Sequence, residues 1–207
     1  GLKRGRELLL NINSVKKPPT AKKISSVGIY YPDLNEINAE TLETKWRIKK
    51  RPVIAITFYS ALLQSGQTEV IDALISALEK DYNCIPIHSK SFKDKKNQEV
   101  TRFLLKKYNP ISVINLTGFS LSGMSSSKTI FDDARRPVFQ VILSSMSEHE
   151  WQHSSKGLNN RDIIMSISLP EIDGRIITKT IAFKEEISFD KITQTKLLEY
   201  IPHDFVM

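Results

Sequence analysis

Short apolar runs alternate with amphipathic stretches between residues 51 and 143, and this alternation predicts the core of the fold. The stretches EVIDALISALEK and QEVTRFLLKKY place apolar residues on one helical face, which predicts helices packed against a sheet. The apolar runs are rich in β-branched residues, which is typical of strands covered on both faces: PVIAITF, CIPIH, SVINL and VFQVIL. This order predicts an α/β fold, a flavodoxin-like wound parallel sheet with helices on both faces.

The sequence on either side of this core predicts further elements. Before it, Val27–Tyr31 (VGIYY) forms a predicted short strand, and Ala39–Arg47 has helical spacing. After it, the alternating residues Ile176–Phe183 predict a half-exposed strand, and Lys191–Tyr200 is predicted to form a last helix. The parallel sheet is therefore expected to carry an extra C-terminal strand and helix.

Basic residues are concentrated near the N-terminus, and this suggests how the chain is divided. The net charge is +7, and the segment VKKPPTAKK combines lysines with a Pro-Pro pair that favours a linker. Aromatic side chains do not interleave with these lysines, so a solvated leader is favoured over a nucleic-acid-binding arm. We predict a basic leader and linker (1–26, with a short helix over Arg6–Ile12), an α/β domain (27–184) and a C-terminal extension (185–207).

Cysteine usage and hydropathy favour a cytoplasmic protein. The single cysteine, Cys84, excludes a disulfide framework within the chain and lies in an apolar run where a buried thiol is expected. Apolar runs stay shorter than the roughly 18 to 20 residues that span a bilayer, and no signal-peptide pattern is present. The chain begins with glycine, which suggests a tag remnant or a piece of a longer protein.

A polar segment from Met146 to Arg175 collects most of the side chains that could carry chemistry. Its pattern predicts a helical turn over Ser147–Gln152 and a helix over Asn160–Ser168 that Pro170 ends. The Asp-Gly pair that follows is typical of a turn, so we expect Glu171 and Asp173 to lie at a surface corner.

The string His149-Glu150-Trp151-Gln152-His153 has the spacing of a zinc-peptidase motif. On a helix it would place His149 and His153 one turn apart as metal ligands, with Glu150 as base and Glu171 as a third ligand. The flanking sequence lacks the apolar back face of such helices, so two exposed histidines on a short turn are the alternative. His88, at the end of a predicted strand, is expected to be a hydrogen-bonded surface histidine.

Two predicted loops leave the carboxyl ends of parallel strands, where wound sheets bind ligands. The loop Tyr59–Gln67 has one glycine and no lysine, which excludes a Walker loop or a dinucleotide fingerprint. The loop Thr117–Lys128 is rich in glycine and serine. The first loop is interpreted either as an ordinary helix-capping loop or as a set of donors for carboxylate or amide groups, namely Tyr59, Ser60, Gln64 and Gln67.

Taken in order, these motifs resemble the large subunit of cobaltochelatase (CobN) and, more weakly, that of magnesium chelatase. The resemblance covers residues 27–184, and its most specific part is LPEIDGRI with the upstream GL and DI pairs. The other strings that carry it are RPVIAITFYSALLQSGQTEVIDALISALE, INLTGFSLSG and PVFQVILSS. The chain is far shorter than such subunits, so the resemblance implies a fragment of their central region.

The resemblance implies metal insertion into a tetrapyrrole. Such enzymes insert Co²⁺ into a corrin precursor, a hydrogenobyrinic acid diamide, or Mg²⁺ into protoporphyrin. The large subunit binds the macrocycle, and AAA+ partner subunits hydrolyse ATP. A fragment of this size is not expected to catalyse alone. A zinc-dependent hydrolase and a non-catalytic flavodoxin-like binding module remain the alternatives.

The resemblance also suggests roles for individual residues. Removing pyrrole N–H protons requires a base, for which Glu171 is the first candidate, followed by Glu150 and Asp173. Asp173 and Arg175 could equally form a structural pair. Ser60 stands where a basic residue is expected in the family. Substrate contacts are expected from Tyr59, Ser60, Gln64, Gln67, Thr117 and Arg175, with His149 and His153 as candidate metal ligands.

Overall fold

Eight strands of the computed structural model, which describes residues 23–122, 129–132 and 135–204, form one mixed sheet. They are β1 (Val27–Tyr31), β2 (Asn35–Ile37), β3 (Val53–Tyr59), β4 (Asn83–Ser89), β5 (Ser112–Asn115), β6 (Val138–Leu143), β7 (Ile176–Asp190) and β8 (Thr195–Pro202). Their order across the sheet is β2-β1-β4-β3-β5-β6-β7-β8. The five central strands are parallel, and β1, β2 and β8 are added antiparallel at the two edges. The central order is that of a flavodoxin-like fold, which confirms the predicted fold class.

Helices lie between these strands. They are α1 (Ala39–Lys45), α2 (Ser60–Ser65), α3 (Glu69–Leu78), α4 (Lys95–Tyr108), α5 (Glu148–His153), α6 (Asn160–Ile163) and α7 (Leu169–Ile172), with a π-helical turn (Ile164–Ser168) joining α6 to α7. In the part of the chain that the structure describes, no helix is long and apolar enough to cross a membrane. The predicted helix Arg6–Ile12 and nearly all of the predicted leader lie outside the described residues.

Two apolar cores, one on each face, fix the helices to the sheet. Val70, Ile71 and Leu74 of α3 pack with β3 and β7 side chains on one face. Leu104 and Leu105 of α4 pack with side chains of β3, β4 and β5 on the opposite face. β3 is buried at five consecutive positions, as its nearly continuous apolar run predicts. Helices therefore cover both faces of the sheet.

The C-terminal helix predicted over Lys191–Tyr200 is wrong, because this segment contains strand β8. β7 continues past residue 184 to Asp190, and β8 returns antiparallel along it from Thr195. The turn between them is closed by the Asp190 carboxylate, which accepts hydrogen bonds from the backbone N–H groups of Ile192 and Thr193. Pairing with a neighbouring strand has overridden the local pattern.

Two further local predictions need correction. The loop predicted over Tyr59–Gln67 contains the short helix α2, which buries Leu63 and ends at Gly66 in a left-handed conformation. Pro170 does not end the helix that starts at Asn160. It lies in the first turn of α7, directly after the π-helical turn, where a missing backbone N–H is tolerated.

Candidate functional site

A row of buried polar side chains crosses one face of the sheet. Thr57, Asn115 and Gln140 stand opposite one another on β3, β5 and β6, and all three are fully buried. Thr57 Oγ1 donates to Asn115 Oδ1 at 2.7 Å, and Asn115 Nδ2 donates to Gln140 Oε1 at 2.7 Å. Buried amides are costly unless they are hydrogen-bonded, so the row fixes the alignment of three neighbouring strands.

Arg175 extends this row to the start of β7. Its Nη1 donates to Gln140 Oε1 at 2.8 Å and to the Thr117 carbonyl at 3.1 Å. Its Nη2 donates to the Phe119 carbonyl at 3.1 Å and to Asp173 Oδ2 at 2.8 Å. Burial lowers the pKa of Arg175, and the neighbouring Asp173 carboxylate opposes that change. One guanidinium therefore ties the segment after β5 to the turn before β7.

Asp173 is buried, and the surface corner predicted for it is wrong. Its side chain is 1% exposed, and it accepts from Ser120 Oγ at 2.6 Å and from the N–H groups of Leu121 and Ser122 at 2.6 and 3.1 Å. Burial raises the pKa of Asp173, but these hydrogen bonds outweigh it and hold the pKa below its ordinary value. With Arg175 as fourth donor, the carboxylate has no free lone pair for proton transfer. This geometry favours the structural pair over a catalytic Asp173.

Glu171 lies at the surface, two residues before this buried carboxylate. Its side chain is exposed and makes no hydrogen bond or ion pair with any other described residue. The turn below it is held by the backbone, since Gly174 N–H donates to the Glu171 carbonyl at 2.9 Å and Asp173 N–H donates to the Pro170 carbonyl at 3.0 Å. Glu171 is thus an unengaged carboxylate on a rigidly anchored turn.

Tyr59 and Thr117 belong to the same cluster as Asp173 and Arg175. Tyr59 Oη donates to the Gly118 carbonyl at 3.2 Å, and Thr117 Oγ1 donates to Asn115 Oδ1 at 2.9 Å. Burial raises the pKa of Tyr59, which keeps its hydroxyl protonated as a donor. A side chain at Gly118 would place its Cβ 2.9 Å from the Met165 carbonyl of the π-helical turn, so glycine permits this close packing.

The other proposed substrate contacts lie elsewhere. Ser60 is fully buried, and its Oγ is 2.9 Å from Nδ1 of His88. Gln67 Nε2 donates to the Leu198 carbonyl on β8 at 3.2 Å, and Gln64 is exposed on α2. The structure therefore joins Tyr59, Thr117, Asp173 and Arg175, but it does not bring Ser60, Gln64 or Gln67 to them.

Glu150 and the two histidines of α5 also lie outside this cluster. Glu150 Oε2 accepts from Ser147 N–H at 2.9 Å while Ser147 Oγ accepts from Glu150 N–H at 3.1 Å, which is a capping box. The backbone hydrogen bond from Ser147 is the largest cause of a lowered Glu150 pKa. His149 and His153 are exposed and stacked, with ring centroids 4.2 Å apart.

The zinc site predicted from His149, His153 and Glu171 does not form within the described residues. Over residues 23–122, 129–132 and 135–204, no group of three histidine, cysteine, aspartate or glutamate side chains is placed to hold a metal ion. His153 Nδ1 instead contacts the His149 carbonyl of its own helix at 2.9 Å. The motif therefore matches the alternative of two exposed histidines on a short turn.

A zinc measurement tests this conclusion. Because His149 has no assembled ligand set, His149→Ala is expected to leave the zinc content of the purified protein unchanged. Its free energy of unfolding should change by no more than about 0.5 kcal/mol, as is usual for surface substitutions. Atomic absorption and urea unfolding measure the two quantities. Stoichiometric zinc that the substitution removes would restore the hydrolase alternative.

His88 was not found by sequence reasoning, which placed it at the surface. It is fully buried on β4, and its Nε2 lies 3.6 Å from Glu36 Oε2 without a hydrogen-bond partner among the described residues. Burial lowers the pKa of His88, and Glu36 offsets this only in part. The sequence did contain a signal for its burial, since His88 belongs to the apolar run CIPIH. A polar side chain that points inward from such a strand normally has a hydrogen-bond partner.

The lowered pKa of His88 predicts a loss of stability in acid. The unfolded chain takes up a proton near the ordinary histidine pKa of about 6.5, before the folded protein does, so stability falls as the pH drops below that value. His88→Gln should reduce the slope of unfolding free energy between about pH 7 and pH 5, by up to about 1.4 kcal/mol per pH unit. Urea titrations across this range measure the slope, and His149→Gln controls for the loss of one imidazole. Equal slopes in native protein and His88→Gln would contradict the prediction.

Asp162 is a second buried carboxylate that the sequence pattern placed only in the first turn of a helix. It accepts from Ser144 Oγ at 2.9 Å and from the N–H and Oγ of Ser145 at 2.8 and 2.9 Å. Asn159, the N-cap of α6, donates to the same carboxylate at 3.3 Å. Asp162 therefore attaches α6 and the π-helical turn to the end of β6, and these elements carry the Glu171 turn.

Comparisons with known proteins identify the family. The model of the CobN/Magnesium Chelatase family matches residues 5–205. The chain is 32% identical over 201 residues to the aerobic cobaltochelatase subunit CobN of a Sinorhizobium species, covering 92% of this chain and 16% of that protein. It is 31% identical over 159 residues to the subunit of the same name from Pseudomonas aeruginosa, covering 76% of this chain and 13% of that protein.

A solved structure agrees with this result at the level of the fold. The catalytic subunit of cobaltochelatase from Mycobacterium tuberculosis superposes with a TM-score of 0.64 and 21% sequence identity, over 99% of this chain and 17% of that one. The chain thus spans only 16% and 13% of the two curated relatives. Since the family model extends over residues 5–205, the resemblance seen in the sequence is confirmed, and the chain belongs to the CobN/magnesium chelatase family.

Proposed function

We propose that this chain is a tetrapyrrole-binding part of a cobaltochelatase large subunit and contributes to the insertion of Co²⁺ into a corrin precursor. The observation that carries the proposal is the 32% identity to a CobN subunit over 92% of the chain. Co²⁺, or Mg²⁺ in the magnesium branch of the family, is a substrate of this reaction. ATP is hydrolysed by AAA+ partner subunits in this proposal and not by this chain.

The arrangement around Arg175 supports a positioned carboxylate. Metal insertion needs a base that removes pyrrole N–H protons, and a base acts efficiently only when it is held in place. Asp173 is saturated by four donors, and Glu150 is engaged in its capping box. Glu171 is the carboxylate of the three candidates that remains unengaged. We therefore assign the base to Glu171 and a positioning role to the Asp173–Arg175 pair.

The size of the chain limits what it does alone. It corresponds to 16% of the length of the Sinorhizobium relative. A macrocycle must be enclosed if its hydration shell is to be replaced by protein groups. In this proposal other parts of a large subunit complete the site, and the 207 residues alone do not catalyse insertion.

Two measurements test the proposal. A corrinoid or porphyrin titrated into the purified chain should show a saturable shift of its absorbance band. The complete gene product that carries the chain, supplied with ATPase subunits, ATP and Co²⁺, should form the cobalt-containing macrocycle. Absence of both binding and insertion in the complete gene product would overturn the proposal, whereas binding only in the complete product would place part of the site outside these residues.

A further inference from the structure

A cleft opens beside the buried Arg175 cluster. Its volume is ≈ 200 Å³, and its walls are residues of the segment before β6 and the turn before β7. Arg135 and Arg136 line one side and are exposed, and Asp173, Gly174 and Arg175 line the other. A hypothetical Cβ on Gly174 would meet no atom within 4 Å, so the turn leaves this side open.

Two arginines of the cleft, Arg135 and Arg136, are not paired with a carboxylate of the described residues. Of its two carboxylates, Asp173 is saturated by hydrogen bonds, and Asp132 accepts a short hydrogen bond from the Thr129 N–H group. Arg135 and Arg136 have no carboxylate partner among the described residues, and the guanidinium of Arg136 makes a single 3.4 Å hydrogen bond to Asn109. The described walls hold three guanidinium groups (Arg135, Arg136 and Arg175) against two carboxylates (Asp132 and Asp173), so the cleft carries a net positive charge.

A second observation points to a ligand in this cleft. Arg175 is 5% exposed and donates from both Nη atoms, but its Nε–H has no acceptor among the described residues. A buried donor without a partner is unfavourable, and it is the kind of group whose acceptor is often supplied by a ligand. Both Nη atoms are already engaged, so Arg175 offers one remaining donor, and a carboxylate oxygen is a strong acceptor for it because hydrogen bonds between charged groups are the stronger ones.

Apolar residues line part of the cleft, namely Phe131, Pro137, Val138 and Ile176. Ile176 lines the cleft and is 48% exposed, and Ile172, the last residue of α7, is 69% exposed. Phe119, whose carbonyl accepts from Arg175, is 45% exposed. Apolar residues in and near a charged cleft suit a ligand that is itself apolar and carries acidic substituents.

We propose that this cleft binds a peripheral carboxylate of the tetrapyrrole, with Arg175 Nε–H at its base and Arg135 and Arg136 at its mouth. This rests on the proposed function, since it identifies which part of the macrocycle the chain recognises. The volume of ≈ 200 Å³ is below the roughly 300 to 1,000 Å³ of pockets that hold whole ligands. The cleft therefore takes one acidic side chain, and the ring lies against the apolar residues outside it.

A titration with a small carboxylate tests the cleft without depending on the macrocycle. Propionate added to the purified, ¹⁵N-labelled chain should shift the Nε–H resonances of Arg175, Arg135 and Arg136 in NMR spectra. The double substitution Arg135→Ala and Arg136→Ala should weaken propionate binding about tenfold, as expected for the loss of charged hydrogen-bond donors. Arg47→Ala removes one guanidinium charge at an exposed position outside the cleft and should leave the binding unchanged. No shift of the Arg175 resonance, or equal weakening by Arg47→Ala, would overturn the proposal.

A matched pair of porphyrins tests the source of the carboxylate. Protoporphyrin carries two propionates, and its dimethyl ester has the same ring without the charges. The acid should bind the native chain more tightly than the ester, and the double substitution should remove most of that difference while leaving ester binding unchanged. Equal binding of acid and ester would overturn the tetrapyrrole assignment. Propionate binding without binding of either porphyrin, in this chain and in the complete gene product, would count against the proposed function and leave a site for small free carboxylates.

Discussion

Arg175→Met is expected to lower the free energy of unfolding by about 3 to 5 kcal/mol, the cost of removing one partner from a buried ion pair. The substitution keeps much of the side-chain volume but removes four hydrogen bonds, to Thr117, Gln140, Phe119 and Asp173. It also removes the cation that pairs with the Asp173 carboxylate, whose side chain is only 1% exposed. Urea unfolding followed by circular dichroism measures the loss.

The exposed neighbour Arg136 provides the control for this measurement. Arg136→Met makes the same chemical change at a guanidinium that has one long hydrogen bond, and should change the unfolding free energy by no more than about 0.5 kcal/mol. In a double-mutant cycle, Asp173→Asn and Arg175→Met should be coupled by about 0.5 to 3 kcal/mol, because the residues contact each other. A cost for Arg175→Met as small as that for Arg136→Met would show that the pair does not hold the turn.

The central sheet could be predicted because its signals are local. The apolar run of β3 and the helical spacing of α3 and α4 each lie within one element, and burial on both faces follows from composition alone. β8 could not be predicted in this way. Its segment is a strand because β7 extends beyond the parallel part of the sheet and offers a free edge, which depends on long-range pairing.

The candidate site could be predicted only in part, because it too depends on contacts between distant parts of the chain. Asp-Gly correctly indicated a turn, but the burial of Asp173 comes from Ser120, Leu121 and Ser122, which lie more than fifty positions earlier in the chain. Polar residues at inward strand positions were the available signal. Asn115 and Gln140 interrupt runs that are otherwise apolar, and both belong to the network that holds Arg175. Ser60 shows the opposite case, a residue at the expected rim that turns inward to His88.

Glu171→Gln is expected to reduce metal insertion by the complete gene product about 10² to 10⁴-fold, the usual contribution of a general base. The amide has the same shape but cannot accept a pyrrole proton. Tetrapyrrole binding should stay near the native level, because the Glu171 side chain makes no hydrogen bond or ion pair with the described residues and the turn beneath it is held by its backbone. Insertion is measured from the absorbance of the metallated macrocycle, and binding by titration without metal.

Two comparisons separate chemistry from positioning in this result. Glu40→Gln makes the same change at an exposed site on α1 and should leave insertion unchanged. Arg175→Met should lower both stability and binding, because it releases the turn, whereas Glu171→Gln should lower insertion alone. Native insertion rates in Glu171→Gln would remove this residue from the mechanism. They would leave the Asp173–Arg175 pair without a part in proton transfer, since the Asp173 carboxylate already accepts four hydrogen bonds and an arginine stays protonated in proteins.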